Sequence, residues 1–153
     1  MALAISLGRR NLGQTSPNPS VGCVIVKNDV IVGRGYTAPN GRPHAETQAL
    51  EQAGSAAKGA TVYITLEPCS HEGKTPPCAH ALVEAGIKHA VIAAIDPDIR
   101  VNGKGISILE AAGIEVKVGV LSDQASLDHA GFFYSQSKCR PWITLKLAAS
   151  MDG

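Results

Sequence analysis

Strand-length apolar runs alternate with helix-length stretches along most of this chain, and that alternation narrows the available folds more than any other feature of the sequence. The runs fall at residues 21–26, 30–36, 61–66, 90–95 and 114–120. Lys27, Asn28 and Asp29 form a turn between the first two, which therefore pair as a β-hairpin. Ala45, Ala49 and Ala53 recur at helical spacing until Gly54 stops the pattern. Pro76 and Pro77 stand where prolines are tolerated, in the first turn of a helix that runs to Gly86. A third helix covers 103–112 and ends at Gly113, and Ser122 can cap a last one with Leu127, Ala130, Phe133 and Tyr134 on one side. An apolar helical stretch at 1–7 opens the chain, and a polar loop at 8–19 follows it. Strands joined through helices lie parallel and need cover on both faces, whereas the hairpin supplies an antiparallel pair. The expected fold is α/β, a three-layer α/β/α sandwich around a mixed, mostly parallel five-stranded sheet.

With 153 residues, one domain buries roughly 68–70% of its unfolded surface, so a core forms without a disulfide or metal staple. Any metal would then serve chemistry. Lys plus Arg number 14 against 13 Asp plus Glu, for a net charge of +1, too small an excess for a domain that lives on phosphate backbones. Two Phe, three Tyr and one Trp give few platforms on which bases could stack. Nucleic acid is therefore not an expected partner. Neither is a membrane, since no apolar run approaches the ~18 residues of a span. Apolar residues precede Arg9 and Arg10, the reverse order of an export signal. The four unevenly spaced cysteines read as core residues or metal ligands in the reducing cytoplasm. A small polar ligand fits this profile.

Two segments carry chemistry: His44-Ala45-Glu46, and Pro68-Cys69 followed by eight residues and Cys78. Ligands of parallel sheets gather beyond the carboxyl ends of strands, and Cys69 follows such an end. One imidazole with two thiolates suits Zn²⁺ and leaves its fourth position open, as catalytic sites do. Both cysteines fall beside expected helix N-termini, where unpaired N–H groups favour thiolates. Two thiolates neutralise the cation's charge, which makes a neighbouring base useful, and Glu46 is the candidate. Residues two apart on a helix diverge by about 200°. His44 and Glu46 converge only if His44 precedes the regular turns, with Pro43 keeping the chain extended. Taken singly, each of these residues has an ordinary reading as a loop histidine, a first-turn acid or a buried thiol. Cys23 reads as a core residue, Cys139 has no companion at ligand spacing, and His80, His89 and His129 read as surface or packing residues. Gly33, Gly35 and Ala38 match a G-x-G-x-x-A string, but Pro39, Gly41 and Pro43 forbid the helix that dinucleotide binding requires.

In this order and combination, H-x-E, P-C and a further Cys resemble the zinc nucleobase deaminases of the cytidine-deaminase superfamily. The eight residues between the cysteines depart from the usual two. That longer loop is similar to the deaminase domain of the bifunctional riboflavin-biosynthesis deaminase-reductases. The likeness extends to Pro17-Asn18-Pro19 before Val21-Gly22, to Pro43-His44-Ala45-Glu46, and to Asp96-Pro97 with Gly103 and Gly105 downstream. It implies a cytidine-deaminase-like fold, with residues 1–139 as a zinc-dependent pyrimidine deaminase domain and one Zn²⁺ held by His44, Cys69 and Cys78. By the same likeness the substrate is 2,5-diamino-6-ribosylamino-4(3H)-pyrimidinone 5′-phosphate, Glu46 is the catalytic proton shuttle, and Asn18, His71, Lys74 and Asp96 face the substrate. Lys74 would contact the phosphate, although its plain reading is a solvated charge. Asp98 and Ile99 stand where the likeness leads one to expect Asn and Pro. A carboxylate there repels a phosphate unless Arg100 or Lys104 compensates, or else points to solvent. Residues 140–153 resemble a linker and the first strand of a reductase domain, a covalently linked partner to which NADPH would be confined, and a homo-oligomer is implied. Two other readings stay open: a deaminase of cytosine, deoxycytidylate or tRNA adenosine, and a zinc-bearing interaction module in which Glu46 is incidental.

Overall fold

The computed structural model describes residues 1–71, 76–98 and 101–152. Its elements are α1 (Ala2–Gly8), β1 (Gly22–Lys27), β2 (Val30–Tyr36), α2 (Ala45–Ala53), β3 (Thr61–Leu66), α3 (Cys78–Glu84), β4 (His89–Ala94), α4 (Lys104–Ala111), β5 (Glu115–Val118), α5 (Ser122–Asp128) and α6 (Ala130–Lys138). One five-stranded sheet runs in the order β2-β1-β3-β4-β5. Asn28 and Asp29 both adopt positive φ, 50° and 60°, as a two-residue turn between right-twisted strands requires. The hairpin register closes on Lys27 opposite Val30.

β1 lies antiparallel to β3 as well as to β2, while β3, β4 and β5 are parallel. Antiparallel pairing thus extends one ladder beyond the hairpin. The crossover through α2 returns β3 parallel to β2 but on the far side of β1, so β1 runs against both neighbours. Side chains alternate across this central strand. Cys23 and Ile25 join the main core with Ile64, Leu82, Ile92 and Leu109, whereas Val24 packs with Ala4 and Leu7 of α1 on the other face.

Small residues set how closely the layers approach. A Cβ on Gly33 would lie 2.1 Å from the Ala49 carbonyl oxygen, and one on Gly35 would lie 1.9 Å from that of Ala45. The backbone of α2 therefore rests directly on β2, with Ala45, Ala49 and Ala53 buried beneath it. This explains the G-x-G string that binds no dinucleotide: its glycines seat the helix that begins just after His44.

The C-terminal third departs from the sequence expectation. The single last helix is broken at His129 into α5 and α6, because the imidazole turns inward and is only 2% exposed. The strand expected over 142–153 joins no ladder among the described residues, and Ile143, Leu145 and Leu147 stay exposed. Among the described residues no helix is long and apolar enough to cross a membrane.

Candidate active site

The site is assembled from two helix mouths at one end of the sheet. His44 is the N-cap of α2 with extended backbone, φ −70° and ψ 161°, and Glu46 follows in the first turn. Their side chains consequently converge on one cleft rather than diverging as mid-helix neighbours would. Beyond β3, the Glu67 N–H still donates to the Ala94 carbonyl at 2.9 Å, which carries the strand geometry to the edge of Pro68-Cys69. Pro77 is the N-cap of α3. The unpaired donors of that helix meet the first cysteine: Cys78 N–H donates to Cys69 Sγ at 3.2 Å, and Ala79 N–H donates to the Cys69 carbonyl at 3.1 Å.

His44 Nδ1 lies 3.4 Å from Cys78 Sγ and 3.8 Å from Cys69 Sγ. All three donor atoms lie within 4.8 Å of one another. A tetrahedral Zn²⁺ with Zn–S of about 2.3 Å and Zn–N of about 2.0–2.1 Å places sulfur and nitrogen about 3.6 Å apart. The donor set and its spacing therefore fit zinc with one coordination position to spare. Of the three groups, only Cys69 is driven toward its ligand state by the protein alone. The hydrogen bond from Cys78, assisted by the His44 ring, lowers the Cys69 thiol to about 4, and the Cys69 thiolate in turn raises His44. Cys78 is pushed up by that hydrogen bond and by burial. Burial, reinforced by the Cys69 thiolate, raises the Glu46 carboxyl to about 7.

A cleft of about 510 Å³ opens over these groups, and Asn18, His44, Glu46, Cys69, His71 and Asp96 all line it. Cys78 is buried behind them. Lys74 lies outside the described residues. Asp98 also lines the cleft and is 8% exposed, so it does not point to solvent as the sequence allowed. Its N–H donates to Asp96 Oδ1 at 2.9 Å, which folds the 96–98 segment inward.

Sequence reasoning passed over three contributors to this cleft. Glu67, 4% exposed, accepts N–H groups from Gly103 and Gly105 at 2.9 Å and from Asp96 and Ile106 at 3.3 Å. It clamps the start of α4 to the cysteine segment. Gly105 permits that approach, because a Cβ there would lie 2.1 Å from the Pro68 carbonyl oxygen. Phe132 and Gln136 of α6 also line the cleft. They lie four residues apart on one helix face, beside the Phe133 and Tyr134 that the sequence pattern picks out.

Fold and site together define a zinc-binding deaminase region. The chain belongs to the family described as the cytidine and deoxycytidylate deaminase zinc-binding region, whose model matches residues 1–94. It is 52% identical over 153 residues to the riboflavin biosynthesis protein RibD of Aquifex aeolicus (strain VF5), covering 100% of this chain and 43% of that relative. The diaminohydroxyphosphoribosylamino-pyrimidine deaminase of Buchnera aphidicola subsp. Schizaphis graminum (strain Sg) is 50% identical over 133 residues, covering 87% of this chain and 90% of that protein. The structure of Acinetobacter baumannii RibD superimposes with a TM-score of 0.93 at 52% identity, over 99% of this chain and 43% of that one. The chain thus spans less than half the length of its RibD relatives. His44, Cys69 and Cys78 form the zinc site of this family.

Proposed function

We propose that this chain catalyses the hydrolytic deamination of 2,5-diamino-6-ribosylamino-4(3H)-pyrimidinone 5′-phosphate, replacing the ring 2-amino group by oxygen and releasing ammonia in riboflavin biosynthesis. The observation that carries this reading is the convergence of His44, Cys69 and Cys78 with the buried Glu46 at one cleft. When bound, zinc supplies Lewis-acid activation of a water molecule at its open position. Glu46 takes the two protons of the attacking water in succession, passing the first to a ring nitrogen and the second to the leaving amine, so one carboxylate serves both transfers. The burial that raises its affinity for a proton suits a group that must both accept and donate. Asn18, His71 and Asp96 orient the pyrimidine and ribose from the cleft walls. His71 Nδ1 is buried without a partner among the described residues, which suits a nitrogen awaiting a substrate atom. Lys74 is proposed as the phosphate contact.

Residues 1–139 act as the deaminase domain in this reading, in the cytoplasm. Residues 140–153 lead into a reductase domain, the only place NADPH would serve, and the chain assembles as a homo-oligomer. Ammonia release from the ribosylaminopyrimidine phosphate and from cytidine, for wild type and Glu46→Ala with zinc content measured in each, tests the proposal. Turnover of the former by the wild type and its loss in a zinc-loaded variant are expected. Turnover of cytidine alone overturns the substrate, retained activity in the variant overturns the shuttle, and zinc without any deamination favours an interaction module.

A further inference from the structure

α6 buries none of its residues completely, yet its Phe132 and Gln136 line the cleft that holds Glu46 and the zinc donors. The residue that joins α6 to α5 is, by contrast, 2% exposed: His129. It is both the C-cap of α5 and the N-cap of α6. Its N–H donates to the Ala125 carbonyl and its carbonyl accepts from Phe133 N–H, each at 2.9 Å. From this joint the imidazole reaches β3, where Nε2 lies 3.3 Å from Thr65 Oγ1. Thr65 is fixed in turn, since Gly22 N–H donates to its hydroxyl at 3.1 Å. The strand then runs on through Leu66 and Glu67 to Cys69, all three in the cleft lining. On the α6 side, the His129 ring centroid lies 5.7 Å from that of Phe133, which lies 6.2 Å from that of Phe132.

Packing alone does not call for a histidine at this joint. Nδ1 is buried with no partner among the described residues, which opposes folding, and a leucine fills comparable space without stranding a nitrogen. What the imidazole adds is direction, because a hydrogen bond is angular and apolar burial is not. The neighbouring Arg9–Asp128 pair, at 2.7 Å, sits at the surface with its arginine half exposed, and such a pair adds little. Phe132 brings the one phenyl ring among the described residues of the cleft lining, a flat surface suited to a heteroaromatic ring.

We propose that His129 is a positioning residue for substrate binding: by tying the start of α6 to Thr65, it holds Phe132 against the bound pyrimidine. This rests on the function proposed above. Glu46 and the zinc donors stand on other elements, so the effect falls on KM rather than on kcat.

Steady-state kinetics with the ribosylaminopyrimidine phosphate, with zinc content and unfolding midpoint measured for each variant, test the inference. His129→Leu should raise KM about tenfold, the worth of one aromatic contact, with kcat within about threefold of wild type. His129→Gln, whose amide still reaches Thr65, should stay within about threefold of wild type in KM. Phe132→Ala should raise KM about tenfold by itself, and adding His129→Leu to it should change KM less than twofold, because the histidine acts through that ring. Wild-type KM in His129→Leu, equal losses in the Leu and Gln variants, or losses that multiply in the double variant overturn the role of His129. Wild-type KM in Phe132→Ala overturns it even if His129→Leu does not fold. A wild-type chain that does not turn over this substrate overturns the proposed function and this inference together, so the two failures are distinguishable.

Discussion

Glu46 and Glu67 are the same residue type, each 4% exposed and each lining one cleft, yet their surroundings give them opposite tasks. Glu67 accepts hydrogen bonds from four backbone N–H groups, which tie α4 to the cysteine segment. Glu46 has no such set of backbone donors among the described residues. Burial, reinforced by the nearby Cys69 thiolate, drives it toward the protonated form, at about 7. Burial alone therefore says little about a carboxylate. What decides its part is whether the fold supplies donors for the charge or leaves it poised to exchange a proton.

The sharpest break between the two acids should come from Glu46→Gln, which keeps shape and removes the proton carrier. Its kcat for ammonia release should fall by about 10²–10⁴-fold, with zinc content and unfolding midpoint unchanged or slightly improved. Glu67→Ala should do the converse. It strands buried N–H groups at the start of α4, a loss of about 3 kcal/mol in urea unfolding, while folded molecules retain most of their turnover.

His129 asks whether burial without full pairing produces the Glu46 pattern away from the chemistry. Its Nε2 is 3.3 Å from the Thr65 hydroxyl and its Nδ1 has no partner among the described residues. Burial lowers it to about 4, against a modest opposing pull from Asp128. Between pH 6.5 and 4 the unfolded chain thus binds the proton more readily than the folded one. The stability due to a neutral His129 is present above about pH 6.5 and is lost as pH falls through this window. From pH 7 to 4.5 the loss should reach about 2–3 kcal/mol, read as the difference between wild type and His129→Gln in denaturant melts at each pH. Asp98→Asn should have the smallest effect. Removing one wall charge should lower KM for a phosphate-bearing substrate by a few-fold at low salt, with kcat unchanged and the gain fading as salt rises.

The chemistry of the site was legible in sequence because it is local. His44, Ala45 and Glu46 declare themselves by spacing, Pro43 announces the extended entry, and Pro77 the start of α3. The hairpin turn at Asn28-Asp29 was equally plain. The role of Glu67 was not, since its four partners lie 29 to 39 residues further on and no local pattern marks a carboxylate that accepts from a distant backbone. The break at His129 escaped for a similar reason: the helical period continues through it, and only the pull of the buried ring toward Thr65 interrupts it. The second antiparallel ladder depends on which side of β1 the chain lands after α2, and α2 rests on Gly33 and Gly35 of β2, a long-range packing contact that no local strand pattern announces. Asp98, read as a solvent-facing option, turns inward because its own N–H finds the Asp96 carboxylate.

The two helix mouths that meet at the zinc site belong to segments 25 to 34 residues apart in the chain, and the pairing of β1 with both β2 and β3 sets them side by side. In the unfolded chain those donors are scattered over a wide loop, and a cation would hold at most one or two of them at a time. A metal bound by all three therefore acts as a removable tie that favours the assembled topology, deepening stability in proportion to the logarithm of its concentration over its dissociation constant.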